Sequence, residues 1–178
     1  MKKAKEFWEE AKKELGKDKV QLELLNYDND NAKKIGEYLK GQLEKNLQGL
    51  TVNIKLQPFK QKLKLESSGD YEMSFAGWSP DYADPMTFLD MFTTDSAYNK
   101  VNYSNTEYDE LINKVKTEGD EKARWEALLQ AEKILLEDAA IAPVFQRGRS
   151  YLQRGSIKGV FIHKYGGEFS YKWVEVKN

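Results

Sequence analysis

The 178-residue sequence sets 28 Lys and Arg against 29 Asp and Glu, with 40% hydrophobic and 32% charged residues. That is the composition of a folded globular chain, and its net charge of −1 offers no basic face for nucleic acid or an anionic membrane surface. The absence of cysteine excludes disulfides, a thiol nucleophile and the usual structural zinc sites.

In chain order, Ala4 to Leu15 reads as a helix, with Phe7, Trp8, Ala11 and Leu15 at helical spacing and Gly16 as the stop. Val20 to Leu25 alternates as a strand. The polar run Asp28-Asn29-Asp30-Asn31 supplies N-cap candidates for a helix with Ile35, Leu39, Leu43 and Leu47 on one face. Thr51 to Gln57 alternates again and is closed by Pro58. This strand–helix–strand rhythm predicts an α/β layer with parallel pairing.

A short helix over Phe59 to Ser67 and a third strand over Tyr71 to Trp78 follow. Ser79 to Pro85 is a loop, Met86 to Phe92 a short apolar helix, and Thr93 to Tyr103 a polar, aromatic loop. Ser104-Asn105-Thr106-Glu107 has the pattern of a capping box, with Ser104 as the cap of a helix carrying Tyr108, Leu111, Ile112 and Val115. Asp120 opens another helix, with Ala127, Ala131, Ile134 and Leu135 on its buried side. Ile141 to Gln146 reads as a strand, and the remainder as short strands broken at Gly155, Gly159 and Gly166-Gly167.

No apolar run has the length of a membrane span. Met1 leads into Lys2-Lys3-Ala4-Lys5-Glu6 and an amphipathic stretch with no apolar signal segment. Two readings follow: a cytoplasmic protein, or an excised piece whose targeting segment lies upstream.

The templates of catalysis find little here. His163 is the single histidine, so a histidine-based metal cluster cannot form, and a Ser–His–Asp triad would have to use it. Neither G-x-x-x-x-G-K-[ST] nor G-x-G-x-x-G occurs. The one dense acidic group is Asp81, Asp84 and Asp90. A carboxylate hydrolase would need Asp81 and Asp84 to face across one cleft, whereas Asp84 before Pro85 suits a turn.

The aromatic residues are more informative. Trp78, Tyr82, Phe88, Phe92, Tyr98 and Tyr103 crowd a loop-rich stretch that leaves the end of a predicted strand. Ligands of open α/β sheets bind beyond the carboxyl ends of strands, and aromatics with a few polar groups suit apolar side chains. Phe88 and Phe92, at i and i+4, fit a buried helix face. Trp78 and Tyr82 fit burial and ligand contact equally.

The string Phe75-Ala76-Gly77-Trp78-Ser79-Pro80-Asp81-Tyr82-Ala83-Asp84-Pro85, continued by Phe88-Leu89, resembles the W-x-x-D-Y-x-[DE]-P-x-x-F-L stretch of the oligopeptide-binding receptors of ABC transporters, family 5. Asn102-Tyr103-Ser104, Tyr108-Asp109, Ala131-Glu132-Lys133 and Ile141-Ala142-Pro143-Val144 follow in the family's order, so the likeness runs from about Leu24 to the end.

The resemblance implies an α/β fold with a mixed sheet flanked by helices, one lobe of a type II periplasmic-binding-protein-like, two-lobe fold. Residues 1–178 would be the C-terminal lobe, excised from its N-terminal lobe, with about 151–178 returning toward that absent lobe. It further implies a binding protein rather than an enzyme, without cofactor or metal. Its setting would be extracytoplasmic, as a cell-surface lipoprotein or in the periplasm, and its partners an oligopeptide and the permease subunits of an ABC importer.

Its ligand residues would be Ala76, Gly77, Trp78, Ser79, Asp81 and Tyr82. The edge from Ala76 to Ser79 would pair with the peptide main chain, which carries no sequence information, and Asp81 would hold the peptide's free α-amino group. Phe75 stands where some relatives place an arginine for the carboxylate of short ligands, which favours longer chains or a different C-terminal anchor. The same receptor fold with a non-peptide or signalling-peptide cargo is the alternative.

Overall fold

In the computed structural model, which describes residues 2–148 and 150–177, the alternating segments pair in the expected parallel sense. Met1 and Asn178, the ends of the expected lobe, lie outside the described residues. The chain divides into two compact units, Met1–Gly77 and Trp78–Asn178.

The first unit contains α1 (Lys2–Leu15), β1 (Val20–Tyr27), α2 (Asp30–Asn46), β2 (Leu50–Gln57), α3 (Phe59–Ser68) and β3 (Met73–Ser74). Its sheet has the order β2-β1-β3, and both ladders are parallel, with Val20 opposite Leu50 and Leu24 opposite Met73. Leu24, Leu25 and Asn26 are buried in succession on the central strand, as expected where helices cover both faces of a parallel sheet. Leu24, Leu50 and Val52 form one core, against which Trp8, Leu43, Leu47, Met73 and Phe75 pack.

Local chemistry sets the α2 geometry. Asn29 caps the helix by accepting the Ala32 N–H at 3.0 Å, the role its short polar side chain predicts. Asn26, fully buried, donates from its amide to the Ala32 carbonyl at 2.7 Å and accepts the Tyr27 N–H. A methyl group at Gly36 would lie 2.5 Å from that amide, so the helix reaches the strand only because the position has no side chain.

The third strand is shorter than the expected Tyr71 to Trp78. Pairing covers Met73–Ser74, and the Phe75 N–H donates to the Leu25 carbonyl at 2.9 Å. Before it, the Glu72 carboxylate rather than a backbone carbonyl accepts the Glu23 N–H. After it, Ala76 and Gly77 belong to no strand and are exposed. Small residues contribute little cross-strand packing to hold a ladder together, and β3 is flanked by β1 alone.

The second unit contains α4 (Met86–Leu89), a 3-10 turn (Asp90–Phe92), α5 (Thr106–Thr117), α6 (Glu121–Glu137), and β4 (Ile157–Lys158), β5 (Phe161–Ile162), β6 (Phe169–Ser170) and β7 (Glu175–Val176). Met86, Leu89, Tyr108, Ile112, Val115, Ala127, Leu128, Ala131 and Leu135 form its core. Ala127, Ala131 and Leu135 are buried as predicted, with Ile134 half-buried beside them. Asp120 caps α6 by accepting the Ala123 N–H at 2.7 Å.

Two expectations are corrected here. Asn105, not Ser104, caps α5, accepting the Tyr108 N–H at 3.1 Å. The Ser104 hydroxyl is instead 3.1 Å from that of Thr94. Residues 141–146 form no strand, since an extended segment needs a partner ladder and none of the described strands lies alongside. The glycine-broken tail does form short strands: β4 pairs with β7 and β5 with β6, both antiparallel. Strands of both senses therefore occur in the chain, in separate sheets. No described helix is long and apolar enough to cross a membrane.

Candidate functional site

The predicted ligand residues fall on both units. Ala76 and Gly77 end the first unit as exposed backbone beyond β3. Trp78, Ser79, Asp81 and Tyr82 open the second and are likewise exposed. Trp78 keeps 39% of its surface free and Tyr82 45%, so neither is a core residue.

Within the second unit these side chains are held in place. The Trp78 ring meets Tyr98 edge-on, with centroids 5.4 Å apart and planes at 66°, the arrangement that ring quadrupoles favour. The Asp81 N–H donates to Oγ1 of the buried Thr87 at 3.1 Å, which ties the loop to α4. The Tyr82 hydroxyl's pKa is raised by desolvation and then by the Asp90 carboxylate.

The two neighbouring aspartates have different tasks. Asp84 is engaged on three sides: Oδ1 accepts the Met86 N–H at 2.9 Å, and Nη2 of Arg124 lies 3.0 Å from Oδ1 and 2.9 Å from Oδ2. The same arginine donates from Nε to the Val115 carbonyl at 3.2 Å, joining α5 and α6 to the loop. Asp81, by contrast, is exposed and its carboxylate has no hydrogen-bond or ion-pair partner among the described residues.

The Arg124 hydrogen bond lowers the Asp84 pKa below its usual value, and the side chain is turned into the loop rather than facing Asp81 as a free carboxylate. Asp84 is a structural anion of the turn. His163 is likewise occupied, with Nε2 2.6 Å from the Ser170 hydroxyl across the β5–β6 ribbon. Among the described residues no group of three or more His, Asp or Glu could hold a metal ion.

A pH dependence follows. A depressed folded-state pKa contributes stability that is present above the unfolded value and lost as pH falls through the folded one. The Asp84–Arg124 pair should therefore stabilise the second unit at neutral pH and cease to do so as pH falls below about 4. Thermal unfolding of an Arg124→Met variant should show a lower midpoint at pH 7, with the gap from wild type narrowing in acid. A gap independent of pH would assign the loss to packing instead.

Sequence reasoning missed several residues that shape this region. Thr87 and Arg124 carry no motif signal; Arg124 acts through a contact forty residues away, and Thr87 through a hydroxyl whose partner local sequence does not specify. Tyr98 belongs to the aromatic stretch but not to the expected ligand residues. Asn99 is the hub of its loop: its amide donates to the Thr93 and Tyr103 carbonyls, and its Oδ1 accepts the Tyr103 N–H.

Comparison with known proteins gives the family. Residues 1–100 match the bacterial extracellular solute-binding proteins, family 5 middle region. The dipeptide-binding protein of Lactococcus lactis is 36% identical over 179 residues, covering 98% of this chain and 32% of that protein. Among solved structures, the substrate-binding domain of an oligopeptide ABC transporter from Bacillus anthracis is 58% identical at a TM-score of 0.92, over 99% of this chain and 35% of that one. Listeria monocytogenes OppA bound to peptide is 42% identical at a TM-score of 0.88, over 99% of this chain and 34% of that one.

This chain belongs to the family 5 bacterial extracellular solute-binding proteins, with their type II periplasmic-binding-protein-like α/β fold. These relatives are described as a dipeptide-binding protein and as the substrate-binding domain of an oligopeptide ABC transporter. The chain spans about a third of the length of the curated relatives it matches.

Proposed function

We propose that this chain is the C-terminal lobe of a receptor that captures extended peptides for an ABC importer, with the ligand's free amino terminus held by Asp81. The observation that carries the reading is the exposed Asp81 carboxylate, with no partner among the described residues, on the same loop as exposed Trp78 and Tyr82 and three residues from an Asp84 that is engaged by Arg124 and the Met86 N–H. An ammonium supplies the missing partner, and the two rings offer apolar surface to the first side chain of the ligand. The exposed backbone of Ala76 to Ser79 pairs with the peptide main chain, so sequence tolerance follows from main-chain hydrogen bonds. Two relatives are described as bound to peptide, one of them to RPPGFSPFR, which supports the cargo class.

The remaining parts of the reading concern the whole protein. An N-terminal lobe closes over the other face of the ligand, and permease subunits receive the loaded receptor. The protein works outside the cytoplasmic membrane, as a lipoprotein or in the periplasm. The stretch from about residue 151 returns toward the N-terminal lobe. Its side chains Tyr151, Leu152, Phe161, Trp173 and Val176 are all more than half exposed, and a run of large apolar groups left in water marks a surface that is covered in the assembled protein.

Titration calorimetry of the intact receptor with a matched pair of peptides, one free and one N-acetylated, tests the amine-holding role. The free peptide should bind more tightly. Equal affinities would refute that role while leaving peptide capture standing, and binding of neither would refute capture.

A further inference from the structure

A fully buried lysine lies in α3, on the first unit. Lys62 is 0% exposed and its partner Glu66, one turn on, is 7% exposed. The ammonium's three N–H donors all have acceptors: the Glu66 carboxylate, the Ser74 hydroxyl at 2.9 Å, and the face of the Tyr27 ring at 4.3 Å from its centroid. The Ser74 hydroxyl in turn donates a hydrogen bond to Glu66 Oε1 at 2.6 Å. The cluster is thus closed, with each member orienting the others.

Stability alone does not account for it. Removing two charges from water offsets most of their attraction, and apolar residues of the same volume are often as stabilising or more so. What the cluster does provide is a fixed point on β3. Ser74 is the last residue of a two-residue strand that is paired on one side only. The next bond runs from the Phe75 N–H to the Leu25 carbonyl at 2.9 Å. Ala76 and Gly77 then leave as exposed backbone. Two adjacent anchors, one by side chain at 74 and one by main chain at 75, set the direction in which that backbone emerges.

We infer that Lys62, Glu66 and Ser74 are positioning residues for ligand binding, holding the end of β3 so that the main chain of Ala76 and Gly77 is aimed at the ligand's backbone. The inference rests on reading Ala76 to Ser79 as the pairing edge. None of the three side chains touches the ligand. They act by preorganisation, since a displaced edge must be reordered at the moment of binding.

The test uses the intact receptor carrying Lys62→Met with Glu66→Leu, and separately Ser74→Ala. Thermal unfolding and calorimetry with a free and an N-acetylated peptide are measured on each. The double variant should keep or raise the unfolding midpoint, yet lose affinity on the order of tenfold, about 1.4 kcal/mol, for both peptides alike. Ser74→Ala should shift affinity the same way by less. A cluster that only supports the fold predicts unchanged affinity in any variant that remains folded, and that result would overturn the inference. Should the double variant not fold, wild-type affinity in Ser74→Ala overturns it equally. Failure of the wild-type receptor to bind either peptide would instead count against the proposed function itself.

Discussion

Replacing Asp81 by alanine in the intact receptor is expected to lower affinity for peptides with a free amino terminus by roughly 10- to 150-fold. The range follows from the roughly 1.5–3 kcal/mol carried by a hydrogen bond to a charged group. The reason is specific to this residue. Asp81 is anchored through its backbone N–H on Thr87, so the side chain can be changed without releasing the loop. Its carboxylate has no partner among the described residues, so removal frees no buried cation. The loss should appear in calorimetry with free peptides and vanish with N-acetylated ones. Asp81→Asn keeps the shape and loses the charge, and should fall between the two. An alanine variant that binds free peptides as tightly as wild type would remove Asp81 from the site.

The largest stability effect is expected in the core of the second unit. Ile112 on α5 is 0% exposed and belongs to the cluster that includes Met86 and Leu89 of α4 and Leu128, Ala131 and Leu135 of α6. Ile112→Ala removes three buried carbons and leaves a cavity among helices held by many other contacts, at a cost of about 2–5 kcal/mol. Denaturant unfolding of the variant should show the midpoint falling with the slope unchanged. The Asp81 N–H is tied to the Thr87 hydroxyl and not through Ile112, so peptide affinity should hold until the unit unfolds. A loss below 1 kcal/mol would mean that the helices close over the gap.

Much of the fold was legible because period and punctuation agree with tertiary structure. Alternation at Val20 to Leu25 and Thr51 to Gln57, separated by a capped helical face, specifies a parallel crossover, and both strands and the helix are present. The failures share one cause. Residues 141–146 and the outer residues of the segment 71–78 have strand composition, yet whether they pair depends on a neighbouring ladder that local sequence does not encode. The α5 cap went to Asn105 over Ser104 because Thr94, ten residues upstream, engages the serine. Capping boxes are read locally, and the competitor was not local.

The candidate site was legible as a string of residue types. Its division of labour was not. That Asp84 serves the turn depends on Arg124, forty residues downstream. The Lys62–Glu66–Ser74 cluster was equally invisible, since an i,i+4 Lys–Glu pair ordinarily reads as a solvated helix face, and only the coordinates place it in the interior.

The most direct test of the capture reading is a crystal structure of the intact receptor with an unblocked peptide. The account predicts the peptide's α-amino nitrogen at about 2.7–2.9 Å from an Asp81 carboxylate oxygen, with the ligand main chain running along Ala76 to Ser79. A ligand whose amino group rests on another side chain, with Asp81 left in solvent, would contradict it.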